Sequence, residues 1–96
     1  MTEREWQQFV TALARYCGWD VHHHYDSRRS EPGWPDLVLV RGKTALFVEL
    51  KTDTGRLRPE QARWLDLLAN AGLEVAVWRP SDMELVRAVL GKRVAA

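Results

Sequence analysis

The sequence has little cysteine, little net charge and no long apolar run, and each shortage excludes a class of protein. Its single cysteine, Cys17, excludes an intrachain disulfide and a cysteine-rich zinc site, and it is consistent with a reducing cytoplasm. No apolar stretch approaches the roughly 18–20 residues of a membrane span, and the polar N-terminus is unlike a signal peptide. Fourteen Lys and Arg against thirteen Asp and Glu leave a formal charge of +1, so the overall charge does not indicate a nucleic-acid binder.

The residues that are present predict one α/β domain over residues 1–96, because a second domain would lack residues for its own core. Hydrophobic residues make up 46% of the chain, and five of them are tryptophans, so a sizeable core can form. Hydrophobic periodicity predicts the order αβββαβα, with a central sheet covered on both faces. The predicted helices cover residues 3–17, 59–71 and 81–90, the last opened by a Ser81–Glu84 capping box, and the predicted strands cover residues 19–25, 35–40, 44–50 and 74–78.

The second and third predicted strands form a hairpin around Gly42 and Lys43, the pattern of a two-residue type II′ turn. With that turn, the numbers of paired residues sum to 85, so Asp36 lies directly opposite Glu49. Because side chains alternate between the two faces of a strand, Lys51 emerges on the same face as both acids. Two carboxylates and a lysine therefore converge at the open end of an otherwise apolar hairpin.

Opposed carboxylates destabilise a sheet unless something offsets their charge, and a divalent cation does so directly. Mg²⁺ takes one or two protein carboxylates, keeps several waters and leaves room for a phosphate. A lysine beside it can orient the attacking water or stabilise charge on the phosphate, which suits phosphodiester hydrolysis. In the alternative interpretation Asp36 only starts a strand, Glu49 pairs with Lys51 or an arginine, and both acids face solvent.

Residues 33–39 (GWPDLVL) and 47–51 (FVELK) resemble the motif of PD-(D/E)XK nucleases. The similarity is closer to the VRR-NUC branch, the virus-type replication-repair nucleases, and to its phage-type stand-alone members. It covers roughly residues 3–90 and implies a restriction-endonuclease-like core with a central mixed sheet flanked by helices. Further positions that match the branch are residues 18–19, 26–30, 55–57, Gln61, residues 71–72 and residues 78–82.

The resemblance also implies roles for individual residues. Asp36 and Glu49 would be acidic ligands of Mg²⁺ or Mn²⁺, the Leu50 carbonyl a backbone ligand and Lys51 the catalytic lysine. Gln61 would contact the attacking water or the scissile phosphate, although a glutamine near a helix N-terminus can also bond its own turn.

Nucleases of this superfamily usually add a glutamate from the first helix to the metal site, and two candidates occur here. Glu3 continues the core-facing stripe of Trp6 and Val10, whereas Glu5 lies on the flank of the helix with Phe9. We favour Glu3, and Glu5 stays the alternative.

Basic residues flank the acidic cluster along the chain. Residues 28–63 hold eight Lys and Arg against five Asp and Glu, a net charge of +3. Arg28 and Arg29 precede the strand of Asp36, and Arg56 and Arg58 follow Lys51, so guanidinium groups on both sides would bind DNA phosphates. Ordinary solvated loops are the alternative. The three histidines, residues 22–24, alternate between strand faces and cannot form one compact metal site alone.

The implied function is a metal-dependent endodeoxyribonuclease that cuts branched DNA such as Holliday junctions during replication or repair. Stand-alone members of the branch resemble resolvases that act as homodimers. We therefore expect a homodimeric protein, encoded by a phage or prophage, that acts in the cytoplasm of the host cell. The apolar stripe of residues 85, 86, 89 and 90 would supply a dimer interface, and core packing explains it equally well. The alternative is a catalytically silent nuclease fold that only binds DNA or a replication partner, and a sequence-specific restriction-type nuclease ranks lower.

Overall fold

A computed structural model describes residues 1–24 and 31–91. Across these residues the element order is the predicted αβββαβα, and the α/β fold with helices flanking a mixed sheet is confirmed. None of the helices in these two ranges is long and apolar enough to cross a bilayer. The elements are α1 (Glu3–Tyr16), β1 (Asp20–His23), β2 (Leu37–Arg41), β3 (Thr44–Leu50), α2 (Pro59–Asn70), β4 (Glu74–Trp78), a 3-10 turn (Pro80–Asp82) and α3 (Met83–Gly91).

The four strands form one sheet in the order β1-β2-β3-β4, antiparallel except for the parallel pair β3–β4 that α2 connects. The predicted hairpin register is confirmed, because Arg41 pairs with Thr44 and Leu37 with Val48. Gly42 has φ +60° and no described residue other than glycine has positive φ, which is the pattern of a type II′ turn.

The first two strands are shorter than predicted. Trp19 does not join β1, because its amide donates to the Ala14 carbonyl and closes the end of α1. β2 begins at Leu37, since Pro35 has no amide hydrogen to contribute to a ladder. Residue 25, the predicted end of β1, lies outside the described residues.

The predicted capping box of α3 is wrong. The Ser81 amide donates to Asp53 Oδ1 at 2.9 Å. The N-cap is instead Arg79, two residues before Ser81, and its amide donates to Asp82 Oδ2 at 2.9 Å. The fixed φ of Pro80 starts a 3-10 turn at this point, so α3 itself begins only at Met83.

Helices α1 and α3 pack on one face of the sheet and enclose the main core. Trp6 and Val10 of α1 and Val86 and Leu90 of α3 are fully buried there. The sheet contributes its inward-facing side chains to the same core, which are Leu37, Leu39, Leu46, Val48 and Leu50.

Helices cover both faces of the sheet, as predicted, but the second face is covered only in part. Helix α2 lies on this face and buries Leu65 and Leu68. Val38 and Phe47 are half-buried, and Val40 is 41% exposed, because the helix covers β4 and the end of β3 rather than the turn of the hairpin. The covered part of this face is the part that carries the acidic residues.

Candidate active site

Asp36 and Glu49 lie at the open end of the hairpin, one position beyond the last ladder pair. The carboxylate of Asp36 accepts a hydrogen bond from the Leu50 amide at 2.8 Å, which ties the residue before β2 to the end of β3. Asp36 is half-buried, so its carboxylate remains reachable from solvent. The local register of the hairpin is therefore what places one acid against the other.

Glu49 is the most unusual side chain of the structure, because it is a carboxylate only 2% exposed. Its Oε2 accepts from Gln61 Nε2 at 2.9 Å and lies 3.8 Å from Lys51 Nζ, but no N–H group donates to its buried Oε1. The neighbouring Asp36 carboxyl can share a hydrogen bond with Glu49 only while one of the two acids is protonated. Burial and then the neighbouring Asp36 carboxylate raise the pKa of Glu49 to about 8, and Lys51 opposes that rise. A buried carboxylate with an unused oxygen is costly and calls for a ligand.

Lys51 follows Glu49 by two residues and points its ammonium into the same cluster. Its side chain is 12% exposed, and Nζ lies 4.0 Å from Glu3 Oε1 as well as 3.8 Å from Glu49 Oε2. Of the two candidate glutamates of α1, the structure brings Glu3 to the cluster. Glu5 instead closes a capping box with Thr2, accepting the Thr2 amide at 2.9 Å.

Gln61 combines the two interpretations that the sequence left open. Its Oε1 accepts from the Arg58 amide at 2.8 Å and caps α2, while its Nε2 donates to Glu49. Because one end of the amide is held by the helix, the other end holds the Glu49 carboxylate in a defined orientation. Gln61 is therefore a positioning residue in this geometry, and it is buried.

A glycine lets the loop before Asp36 reach the N-terminus of α2. Gly33 has φ +93°, and a Cβ there would fall 2.4 Å from the carbonyl of Glu60. No other residue fits this approach without moving the helix. The contact brings the loop that carries Asp36 and the helix that carries Gln61 together around Glu49.

The loop after Lys51 is held by a residue to which sequence reasoning assigned no role. Arg79 donates from one guanidinium nitrogen to the carbonyls of Thr52 and Gly55, both at 2.6 Å, and the Ser81 amide binds Asp53 in the same turn. The amide hydrogen bond from Ser81 and the nearby Arg79 lower the pKa of Asp53. The only signal in the sequence was that residues 78–82 belong to the family resemblance, which says nothing about what they contact.

Two of the four arginines predicted to bind DNA can be placed. Arg56 and Arg58 are exposed on the loop between Lys51 and α2, and Arg58 Nε lies 3.8 Å from Glu60 Oε1. Neither contacts the acidic cluster itself. Arg28 and Arg29 lie outside the described residues.

The oxygen atoms of Asp36 and Glu49 suit a hard divalent cation, because one buried oxygen of Glu49 has no donor and lies beside the Asp36 carboxylate. In residues 1–24 and 31–91 no group of three or more His, Cys, Asp and Glu side chains is arranged to hold a metal. Two carboxylates and the Leu50 carbonyl, completed by waters, would suit Mg²⁺ or Mn²⁺, which commonly keep several waters in protein sites. Glu3 faces Lys51 from the other side and is the third acid of the cluster.

Comparison with solved structures shows the same fold in two proteins. One, described as a VRR_NUC domain, superposes with a TM-score of 0.75 at 23% identity, covering 93% of this chain and 95% of that one. The other, described as a VRR_NUC domain protein, gives a TM-score of 0.74 at 23% identity, covering 94% of this chain and 85% of that one.

Among curated proteins there is no match. The family model of the VRR-NUC domain, in contrast, matches residues 3–82, a range that contains Glu3, Asp36, Glu49, Lys51 and Gln61. The match extends over most of the chain, and the fold of this chain agrees with the folds of the two solved structures. The chain therefore belongs to the VRR-NUC domain family, a family of nucleases.

Proposed function

We propose that this protein is a divalent-metal-dependent endonuclease that hydrolyses DNA phosphodiester bonds at branched DNA, such as a Holliday junction, during replication or repair. The observation that carries the proposal is the buried carboxylate of Glu49, which has one oxygen without a partner and a second acid beside it. A module that only binds DNA has no evident use for that arrangement, because it weakens the fold and repels phosphate.

Asp36, Glu49 and the Leu50 carbonyl would hold Mg²⁺ or Mn²⁺. When bound, the cation would supply Lewis-acid polarisation of the phosphate and would acidify the attacking water.

The remaining groups of the cluster act on the substrate or on the acids. The Lys51 ammonium has three N–H donors and lies between Glu3 and Glu49, so a donor not directed at these acids can bind a phosphate oxygen and stabilise the charge that builds there during hydrolysis. Gln61 keeps Glu49 oriented. The N-terminus of α2, which Gln61 brings beside Glu49, favours an anionic ligand at this position.

The exposed arginines Arg56 and Arg58 lie on the loop that follows Lys51, and Arg28 and Arg29 flank the acidic cluster on the other side in sequence. Replacing both Arg56 and Arg58 by Gln should weaken DNA binding and reduce the slope of log affinity against log salt by about 2. Fluorescence anisotropy over a salt series measures that slope. Lys43→Gln, in the exposed hairpin turn at the opposite end of β2 and β3, is the control that should leave the slope unchanged.

We further propose that the protein acts as a homodimer, because two opposed strands of a junction need two active sites. Helix α3 gives this little support, since Val86 and Leu90 are used in the core and only Leu85 of its apolar stripe is exposed. Sedimentation velocity with and without junction DNA tests the stoichiometry. One chain per junction at saturation would exclude the dimer.

The central test is cleavage of end-labelled four-way junctions, flaps and linear duplexes with Mg²⁺, with Mn²⁺ and with EDTA. We expect cation-dependent cutting by the wild type, and a loss of at least about 100-fold in Asp36→Asn and Lys51→Ala with junction binding retained. Lys43→Ala is the matched control for the loss of a lysine.

Each contrary result has a definite meaning. Full activity in Asp36→Asn would reject the proposed site. Tight junction binding without cutting under any cation would favour the catalytically silent module. Equal rates on junctions, flaps and linear duplexes would remove the preference for branched DNA and leave the nuclease.

A further inference from the structure

Beside the acidic cluster, on the α2 side of the sheet, the structure has an aromatic cleft of about 350 Å³, lined by His24, Glu31, Trp34 and Trp64. Trp34 precedes Asp36 by two residues. Trp64 follows Gln61 by three, which is about 4.5 Å along the helix axis. The cleft is therefore built by the same loop and the same helix that position the two acids.

The two indoles are held rigidly and nearly perpendicular to each other. Their ring centroids are 5.2 Å apart with an interplanar angle of 76°, and Trp34 also meets Phe47 edge to face at 6.0 Å. The indole nitrogen of Trp64 donates to the Pro32 carbonyl at 3.1 Å. Both tryptophans are only half-buried, so this fixed aromatic surface remains open to a ligand. A site whose walls are already fixed loses little entropy on binding.

The polar groups around the cleft favour a flat occupant with hydrogen-bonding edges. The Arg63 guanidinium carbon lies 5.8 Å from the Trp64 ring centroid, so a positive charge borders the cleft as well as the negative charge of Glu31. Glu31 is exposed at its rim and would repel a phosphate group, whereas its carboxylate can accept a hydrogen bond from an amino group. His24 adds a second polar group on the same rim. A nucleobase combines a π-face for stacking on indole with a polar edge for such contacts. The volume is at the lower end of the range for small-ligand sites and suits one base.

The geometry points to the aromatic cleft as a binding site for one unpaired base of the DNA substrate, from a nucleotide next to the scissile phosphate. This inference rests on the proposed nuclease function and deepens it, because it names the feature of branched DNA that is recognised. Moving a paired base into the cleft costs the free energy of breaking its base pair and its stacking, and an unpaired base does not have that unpairing cost. The site therefore selects DNA whose cut lies beside an unpaired nucleotide.

The test is a scan of abasic positions across the cleavage site of a flap substrate that contains unpaired nucleotides. Binding of each DNA to the full chain is measured by anisotropy in EDTA. For the wild type we expect one position next to the cut where loss of the base weakens binding by about 5- to 100-fold, the range of base–aromatic stacking. Trp64→Leu should weaken binding of the intact DNA by the same factor and should show no effect of the abasic position. Trp64→Phe should keep most of the effect.

The matched control is Leu67→Ala, at an exposed apolar position of the same helix, which should behave as wild type. A flat abasic scan in the wild type overturns the inference, and so does a Trp64→Leu protein that folds and stays sensitive to the missing base. The wild-type scan decides the question by itself if Trp64→Leu does not fold.

Cleavage of the same DNAs in Mn²⁺ separates the two proposals. Cutting that depends on Asp36, combined with a flat scan, rejects the base site and keeps the nuclease. A position-specific abasic effect without any cutting keeps the base site and rejects the nuclease.

Discussion

The two ends of the β2–β3 hairpin differ in how far the charged side chain that each carries is satisfied by hydrogen bonds. At the turn end, the guanidinium carbon of Arg41 lies 4.4 Å from the ring centroid of Trp19, and the group donates to the Cys17 and Leu90 carbonyls at 2.9 Å. Trp19 adds its own indole hydrogen bond to the Leu90 carbonyl at 2.9 Å. At the open end, Glu49 is buried beside Asp36 with one oxygen unpartnered.

The contrast separates stability from function within one hairpin. Arg41 satisfies the carbonyls that the ends of α1 and α3 leave without partners, so its charge strengthens the fold. Glu49 weakens the fold of the metal-free protein, because its negative charge is buried and repelled by a like charge. Such a loss of folding stability is tolerated at a functional site where a bound ligand offsets it. Substitutions at each end of the hairpin therefore test this contrast.

The largest loss of stability is expected at Gly33, on the loop that carries Asp36. Gly33→Ala combines a positive φ with a Cβ 2.4 Å from the Glu60 backbone, so the free energy of unfolding should fall by about 4 kcal/mol. Urea denaturation measures it. Gly72→Ala is the control, since Gly72 has φ +87° with open space around it and should lose only about 1 kcal/mol. Equal losses at the two glycines would contradict the close approach.

The next substitution should raise the free energy of unfolding instead of lowering it. Glu49→Gln should stabilise the metal-free protein by about 5 kcal/mol above pH 8, because it removes a buried charge next to Asp36. The unfolded carboxyl ionises near its ordinary pKa of 4.5, whereas in the native protein the pKa is about 8. Between these values the unfolded chain releases a proton that the native protein keeps, so wild-type stability falls as the pH rises.

Urea unfolding in EDTA at several pH values measures this difference between wild type and variant. It should vanish below pH 4.5, grow as the pH rises and level off above 8. Asp66→Asn, an exposed acid on α2, serves as the control for loss of one negative charge. A difference that stays the same at every pH would contradict the raised pKa of Glu49.

The turn end should respond with a smaller loss of stability and no loss of function. Arg41→Met removes the hydrogen bonds to two carbonyls and the contact with Trp19, and we expect a loss of about 2 kcal/mol. DNA cleavage per folded molecule should remain at the wild-type level, since Arg41 lies at the opposite end of the hairpin from Asp36 and Glu49. Reduced cleavage at full folding would show that the two ends are coupled.

The smallest change in stability is expected from Arg79→Met, about 1 kcal/mol, because the loop that Arg79 holds is partly exposed. Its effect on cleavage should be larger in proportion, since the loop follows Lys51 directly and carries Arg56. We expect kcat to fall about tenfold with junction affinity nearly unchanged, as for a lost positioning contact. Arg79→Lys should recover part of kcat. A loss of affinity instead of kcat would place Arg79 in DNA binding.

Local patterns were sufficient for most of the fold. Helix α1 begins and β3 and β4 end where periodicity and caps placed them, and the turn at Gly42 set the register that opposes Asp36 and Glu49. The ends of β1 and β2 were misplaced for local reasons, at Trp19 and Pro35, whereas the cap of α3 was wrong because a distant group competes with a local one. Asp53 accepts from the Ser81 amide, which the predicted capping box assigned to Glu84, and the cap is formed instead by Asp82, which accepts from the Arg79 amide.

What the sequence determined by itself is the meeting of two acids and a lysine, because a two-residue turn and side-chain alternation act over a few neighbouring residues. What only the tertiary structure decided is the state of those groups. Packing of α2 buries Glu49 and leaves its Oε1 unpartnered, the direction of α1 brings Glu3 rather than Glu5 to Lys51, and Arg79 reaches the loop from another strand end. Burial and long-range contacts depend on how elements far apart in sequence pack, and no local pattern encodes that.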